Sequence, residues 1–77
     1  MIAAYILIQT TVGRAAVVAT ALREMPGISE SVTVTGPYDV IARVESEDVD
    51  ELGRLVVSQL QRLDGVERTM TCPVVHL

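Results

Sequence analysis

The strongest constraint on the fold of this chain is an internal repeat with a constant offset, which is 38 positions between Gly27 and Gly65. Two βαβ halves joined by a hairpin are the requirement of a split βαβ, ferredoxin-like fold. The repeat therefore predicts a βαββαβ chain with two similar halves. The matching pairs are Leu22 and Leu60, Met25 and Leu63, Gly27 and Gly65, Ile28 and Val66, Val32 and Met70, Thr33 and Thr71, and Ala4 and Ala42.

The periodicity of apolar residues places the individual elements. Val18, Ala21, Leu22 and Met25 have helical spacing, and Thr10 or Thr11 is the candidate cap of this helix. Right-handed crossovers put the first and third strands in the centre of an antiparallel sheet of order 4-1-3-2, with both helices on one face. We predict strands at 1–10, 28–35, 38–45 and 66–75, a helix that Pro26 and Gly27 end, and a helix from Asp48 to about 63 with its apolar stripe at Val49, Leu52, Val56, Leu60 and Leu63.

Composition and charge exclude several classes of protein. The chain of 77 residues has a net charge of −4, and its six basic residues are all Arg and lie scattered. Direct nucleic-acid binding is therefore not expected, since contacts to phosphate need clustered positive charge. A single cysteine, Cys72, excludes an internal disulfide and a CxxC metal clip, and we expect it to be a small buried residue facing the helices. We expect no metal and no cofactor.

The ends of the chain and its apolar runs bear on location. No apolar run approaches the ~20 residues of a membrane span, and the N-terminus lacks the basic region of a signal peptide. We expect a cytoplasmic protein without membrane contact.

A content of 49% hydrophobic residues is more than one small core needs, which points to a second buried surface. Alternation puts apolar side chains of the central strands on the sheet face away from the helices, and puts Ser31, Thr33, Thr35, Thr69 and Thr71 at its border. We expect this face to pair with a second copy. The predicted dimer interface comprises Ala3, Tyr5, Leu7, Thr33, Ile41 and Arg43.

The run VTGPYDVIA at 34–42 resembles the V-x-G-x-[YF]-D-hydrophobic signature of the effector-binding domain, or RAM domain, of Lrp/AsnC transcription regulators. The flanking stretches MPGI at 25–28 and GVERTMT at 65–71 agree, so the resemblance covers essentially the whole chain. It implies face-to-face dimers that assemble into rings such as tetramers or octamers. It also implies a small effector, usually an amino acid, bound between neighbouring dimers beside the hairpin.

This chain differs from the full-length regulators in one respect. Those regulators carry an N-terminal helix-turn-helix domain, whereas this chain starts at its first strand. We therefore expect residues 1–77 to be one stand-alone sensing domain without a DNA-binding domain. It would act through partners, of which a full-length Lrp/AsnC regulator is one candidate.

Six residues are candidates for the effector site. Gly36 and Pro37 shape the turn between the second and third strands, and Gly36 lets a ligand approach the backbone. The Asp39 carboxylate is suited to an α-ammonium group, and Tyr38 to the wall of a side-chain pocket. Each has a structural alternative. Gly36 could be needed only for the turn, Tyr38 could pack in the core, and Asp39 could cap the hairpin or bond to a backbone N–H. The remaining candidates, Thr69 and Thr71, offer hydroxyls to an α-carboxylate, or are ordinary strand residues.

Enzymatic activity is not expected. The single histidine, His76, lies one residue from the end, where a general base is poorly positioned. The chain has no glycine-rich phosphate loop and no Asn for acylphosphatase-like chemistry. Three hypotheses remain: an amino-acid sensor, an effector-free oligomerisation module, and a small dimeric α+β barrel enzyme.

Overall fold

A four-stranded antiparallel sheet carries two helices on one of its faces, as the repeat predicts. The computed structural model describes residues 1–76. The strand order is β2-β3-β1-β4, which is the predicted order read from the other edge. The elements are β1 (Ile2–Thr10), α1 (Ala15–Arg23), β2 (Ile28–Thr33), β3 (Val40–Ser46), α2 (Val49–Arg54) and β4 (Val66–Pro73).

The core lies between the helices and one face of the two central strands. Alternate residues of β1 and β3 are fully buried there, and the helices cover them with one apolar face each. The predicted helix faces are confirmed, except that Val49 is 70% exposed. The buried apolar residues are Ala4, Ile6 and Ile8 of β1, Val40, Ala42 and Val44 of β3, Val18, Ala19 and Leu22 of α1, and Leu52, Val56 and Leu60 of the second helical region.

The second helical region starts as predicted but is not a uniform α-helix. Asp48 caps it, because its Oδ1 accepts a 2.8 Å hydrogen bond from the N–H of Glu51. The α-helical part ends at Arg54, and a π-helical turn (Leu55–Gln59) and a 3-10 turn (Leu60–Arg62) follow. Val56 and Leu60 are both buried in the core, as their spacing predicts.

The predicted threonine cap of α1 is wrong. The helix begins at Ala15, with Arg14 at the N-cap position and no side-chain hydrogen bond there. The Thr10 hydroxyl instead donates to Asp39, and the N–H of Thr11 donates to the carbonyl of Gly65 at 2.9 Å. Both threonines therefore close contacts at the end of β1.

The connection between β2 and β3 is longer than the predicted tight turn. Strand β2 ends at Thr33 and β3 begins at Val40, so residues 34–39 lie outside the strands. The N–H of Val34 donates to the carbonyl of Asp39 at 2.8 Å and closes this loop. We call residues 34–39 the hairpin loop.

The predicted side-chain phase of β2 is wrong. Ser31 pairs with Ala42 and Thr33 pairs with Val40, and directly paired residues point to the same face of a sheet. Ser31 and Thr33 are therefore on the helix side, and Thr35 lies in the hairpin loop. The cause is a β-bulge between Ile28 and Glu30, because the extra residue reverses the alternation that follows it.

The phase of β4 is reversed for the same reason. The register shifts where Thr10 pairs with Val66 but Gln9 pairs with Arg68. Beyond this shift Thr69 and Thr71 pair with core residues of β1 and lie on the helix side, not on the open face as predicted. Cys72 pairs with Tyr5 and lies on the open face, so the expectation that it faces the helices is also wrong.

Candidate functional site

Asp39 joins the hairpin loop to the end of the central strand β1. Its carboxylate Oδ2 accepts hydrogen bonds from the N–H of Thr10 at 2.8 Å and from the Thr10 hydroxyl at 3.3 Å. Its own N–H donates to the carbonyl of Ile8 at 2.9 Å. The half-buried Asp39 thus bonds to a backbone N–H, which is the structural alternative considered for it. Both bonds use Oδ2, and Oδ1 accepts no hydrogen bond from residues 1–76.

Tyr38 extends from the hairpin loop to the far edge of the sheet. It is half-buried, and its hydroxyl lies 3.9 Å from the sulfur of Met70 on β4. Because Met70 pairs with Leu7, this contact lies on the face without helices. Tyr38 is therefore neither a core residue nor free in solvent, and it links the hairpin loop to the open face.

The tip of the hairpin loop is exposed and has space around it. Gly36 has a φ of +129°, a conformation that side chains disfavour. A Cβ at this glycine would meet no atom within 4 Å. Gly36 and Pro37 are both exposed. The glycine therefore serves the turn, and the surroundings leave room for a second molecule to approach the backbone.

Thr69 and Thr71 are not brought together with the hairpin loop in one chain. The Thr69 hydroxyl accepts a 3.2 Å hydrogen bond from Nε2 of Gln61, on the helix side of the sheet. Thr69 also lines a polar groove of about 280 Å³ with Gln61, Glu67 and Arg68. Tyr38 lies on the opposite face, so a site that uses all six candidate residues needs more than one copy of the chain.

The open face carries a continuous apolar row across all four strands. The cross-strand pairs place Val32 of β2, Ile41 of β3, Leu7 of β1 and Met70 of β4 at one level. Val32 is 40% exposed and Met70 is 50% exposed. We call these four residues the apolar row. It lies at the hairpin end of the sheet, where Tyr38 contacts Met70.

The next level of the open face is polar on one side. It contains Glu30, Arg43, Tyr5 and Cys72 in order across the strands. The Arg43 guanidinium forms an ion pair with Glu45 and donates to the Ser29 hydroxyl at 3.2 Å. The hydrogen bond to Glu45 raises the pKa of Arg43, and the partial loss of solvent around the guanidinium lowers it by less. Arg43 thus has a partner in its own chain.

Sequence reasoning missed Val32, Met70 and Cys72 as open-face residues. It correctly placed Ala3, Tyr5, Leu7, Ile41 and Arg43 on that face, as the register of β1 with β3 shows. The missed signal is that Val32 and Met70 occupy equivalent positions of the repeat. Apolar residues at these two positions fit a subunit interface on the open face as well as they fit the core.

The described part of the chain offers neither a metal cluster nor a membrane-spanning helix. Within residues 1–76, no group of three or more His, Cys, Asp or Glu side chains is placed to hold a metal ion. No helix in this part of the chain has the length and apolar character needed to cross a membrane.

A match to a known protein family covers nearly the whole chain. The model of the Lrp/AsnC ligand binding domain matches residues 3–76. Together with the βαββαβ order and the hairpin loop, this match agrees with the resemblance of the 34–42 motif.

Curated relatives are mostly regulators. The HTH-type transcriptional regulator FL11 of Pyrococcus furiosus is 32% identical over 76 residues, which are 99% of this chain and 50% of that protein. An uncharacterized HTH-type transcriptional regulator of Pyrococcus horikoshii is 33% identical over 70% of this chain and 36% of its own length. The chain thus spans between about a third and a half of these relatives. A homocitrate synthase of Sulfurisphaera tokodaii is 32% identical over 65% of this chain but only 11% of the enzyme.

Solved structures share the fold closely. The protein TTHA0845 of Thermus thermophilus superposes with a TM-score of 0.93 at 39% identity, covering 100% of this chain and 96% of that chain. A transcriptional regulator of Neisseria meningitidis, solved as a complex with L-Met, has a TM-score of 0.85 at 19% identity over 97% of this chain and 50% of that chain. The second likeness shows the fold alone.

Proposed function

Because this chain belongs to the family of Lrp/AsnC ligand-binding domains, we propose that it binds an amino-acid effector between copies of itself, beside the hairpin loop. The family and the regulator relatives establish a regulatory, effector-binding type of domain. The identity of the effector, its position and the assembly are the proposal. The residues proposed for binding are Gly36, Pro37, Tyr38 and Asp39 of one copy.

The observation that carries the proposal is the anchoring of an exposed loop at two points. Asp39 is held by Thr10 at the end of β1, and Tyr38 is held near Met70 on β4. A loop fixed in this way presents a carboxylate oxygen and an aromatic ring at a constant separation. Such preorganisation lowers the entropic cost of binding a small molecule. An α-ammonium group suits the Asp39 carboxylate.

A second copy is needed to enclose the effector, because Gly36 and Pro37 are exposed in one chain. The apolar row supplies a reason for copies to associate, since isolated chains rarely leave a contiguous apolar strip in water. Thr69 and Thr71, which lie on the helix side at β4, contribute only if a neighbouring copy brings its β4 edge to the hairpin loop. Dimers through the open face, joined into larger rings, satisfy both requirements.

Two comparisons support the proposal of an amino-acid-sensing unit. The neighbour from Neisseria meningitidis was solved with L-Met, and the TTHA0845 chain is covered to 96% by a domain of this size. We therefore propose that residues 1–77 act as a sensing unit that reports effector state to a partner regulator. The relation to regulators also supports a non-catalytic role, and the match to homocitrate synthase concerns a small segment of that enzyme.

The proposal is tested by thermal unfolding of the protein against each of the twenty amino acids. An effector present at about 100 times its dissociation constant adds about 2.7 kcal/mol of stability. For a domain of this size, that corresponds to a rise of several degrees in Tm. We expect a rise for one chemical class of amino acid.

The matched variants are Asp39→Asn and Asp50→Asn. Asp39→Asn keeps the shape of the side chain and removes its charge, so the rise should disappear. Asp50 is an exposed acid of the first turn of α2, and its variant should respond as the wild type does. A flat panel with a protein that remains oligomeric contradicts effector binding and supports the oligomerisation module instead.

A further inference from the structure

A groove on the helix side of the molecule lies at the end of the sheet opposite the hairpin loop. It has a volume of about 370 Å³ and is bounded by the turn before β2, the end of β3 and the second helical region. Ser46 at the end of β3 lines it, whereas the hairpin loop precedes the start of the same strand. The groove is therefore separate from the proposed effector site by the length of a strand. Its volume is within the range of sites for small molecules.

The wall of the groove is the irregular part of the second helical region. The π-helical turn spans Leu55–Gln59, and Leu55, Ser58 and Gln59 all line the groove. In an α-helix, adjacent residues such as Ser58 and Gln59 diverge by about 100°. A π turn packs more residues into each turn, and such turns occur frequently at functional sites. The distortion and the groove thus coincide.

Charges of both signs border the groove without a protein partner. Glu51 and Arg54 line it, and both are exposed. The ion pairs within residues 1–76 are Arg14–Asp64 and Arg43–Glu45, so neither Glu51 nor Arg54 is neutralised by a salt bridge in the described chain. A carboxylate and a guanidinium three positions apart on a helix face the same side.

The floor of the groove is apolar and kept open by a glycine. Gly27 has a φ of +92°, and a Cβ there would lie 3.3 Å from the carbonyl oxygen of Glu45 and 3.7 Å from Cδ2 of Leu55. Pro26 and Leu55 provide apolar surface beside it. The groove therefore combines an apolar floor with the Glu51 carboxylate, the Arg54 guanidinium and the Ser58 hydroxyl. Glu45 also lines the groove, but its carboxylate is paired with Arg43.

We propose that this groove is a second small-molecule site, which takes a zwitterion with a short apolar side chain. The ligand's ammonium group binds Glu51, its carboxylate binds Arg54 with help from Ser58, and its side chain covers Gly27 and Leu55. This site is independent of the hairpin loop, so its occupation does not require the proposed effector site to exist.

The experiment is a titration of the full, ¹⁵N-labelled chain with L-leucine, followed by amide chemical shifts. The matched probes are isovalerate, which lacks the ammonium group, and isoamylamine, which lacks the carboxylate. We expect L-leucine to shift the amides of Gly27, Ser46 and residues 54–59 at millimolar concentration, and each matched probe to bind at least about tenfold more weakly, as the loss of one charged hydrogen bond implies.

Variants separate this site from the hairpin loop. Arg54→Gln should abolish the shifts at the groove and leave any shifts at 36–39 unchanged, whereas Arg62→Gln, at an exposed arginine outside the groove, should change neither. Asp39→Asn should leave the groove shifts intact. Absence of shifts at 27 and 54–59 with L-leucine would overturn the proposal, and so would shifts with isovalerate or isoamylamine as large as those with L-leucine at the same concentration. Persistence of the groove shifts in Arg54→Gln would do the same.

Discussion

Oδ2 of Asp39 accepts a 2.8 Å hydrogen bond from the backbone N–H of Thr10, across 29 positions of the chain. This bond ties the hairpin loop to the last residue of β1, and the buried Thr10 adds its hydroxyl at 3.3 Å. The relationship explains why an acid stands directly before β3. It satisfies a donor of β1 that lies beyond Ile8 and Val40, where the pairing between β1 and β3 ends.

The Asp39–Thr10 bond should be measurable as stability. Asp39→Ala leaves the N–H of the buried Thr10 without its acceptor, which costs about 1–3 kcal/mol in the free energy of unfolding. Asp39→Asn keeps an acceptor oxygen and should cost less. Urea unfolding at one fixed protomer concentration measures both. Equal stability of Asp39→Ala and the wild type would contradict the role of this bond.

The apolar row should control self-association. Leu7→Asp places a charge in the centre of the row, where burial against a second copy would be strongly unfavourable. We expect a folded monomer, because Leu7 points away from the helices. Sedimentation measures the mass, and circular dichroism checks the fold. Val12→Asp, at a loop residue whose side chain is fully exposed, is the control and should sediment like the wild type. An oligomeric Leu7→Asp would refute the interface.

Two glycines of positive φ should respond differently to alanine. A Cβ on Gly65, whose φ is +99°, would lie 3.0 Å from Cβ of Arg14 and 3.2 Å from Cγ2 of Val18. Gly36→Ala meets only the backbone strain. Gly65→Ala should therefore lose about 1–3 kcal/mol more than Gly36→Ala, since the start of α1 must move. Thermal unfolding compares the two variants. Similar losses of stability would show that the start of α1 moves to admit the Cβ without a loss in the free energy of unfolding.

Gly53 offers the opposite test within α2. It lies in the helix, and a Cβ there would meet no atom within 4 Å. Gly53→Ala should stabilise the protein by about 0.5–1 kcal/mol, because glycine is the more flexible residue in the unfolded chain. Chemical unfolding measures the gain. A loss of stability would mean that the adjoining π turn needs this glycine.

Ser31 is buried, but its side-chain hydroxyl contributes no hydrogen bond to the fold within residues 1–76. It is 3% exposed, and its hydroxyl oxygen has no hydrogen-bond partner among residues 1–76. Its carbonyl accepts a 3.0 Å bond from Nε of Arg23, which a substitution of the side chain preserves. Ser31→Ala should be neutral or stabilise the protein by up to about 1 kcal/mol in chemical unfolding, because an unsatisfied hydroxyl is removed. Ser31→Asn, which adds bulk and polarity, should destabilise it.

The register errors of the sequence interpretation have one common cause. The residue without a strand partner is Ser29 in β2 and Glu67 in β4. These positions are separated by the same 38 residues as the repeat, so the bulge itself is repeated. A bulge is a local backbone choice that depends on the neighbouring strand, and neither Ser29 nor Glu67 is a residue type that specifies one.

The sequence by itself determined the order of elements, the strand order, the core face of each helix and the family resemblance of the hairpin. These features depend on local spacing: apolar residues at helical intervals, the Asp48 cap and two halves at a fixed offset. Only the tertiary structure decided which face of β2 and β4 each side chain takes, that Thr69 and Thr71 lie apart from Tyr38, and that Asp39 bonds to Thr10. These features depend on pairing between residues distant in the chain, where one extra residue in a strand reverses every later side chain.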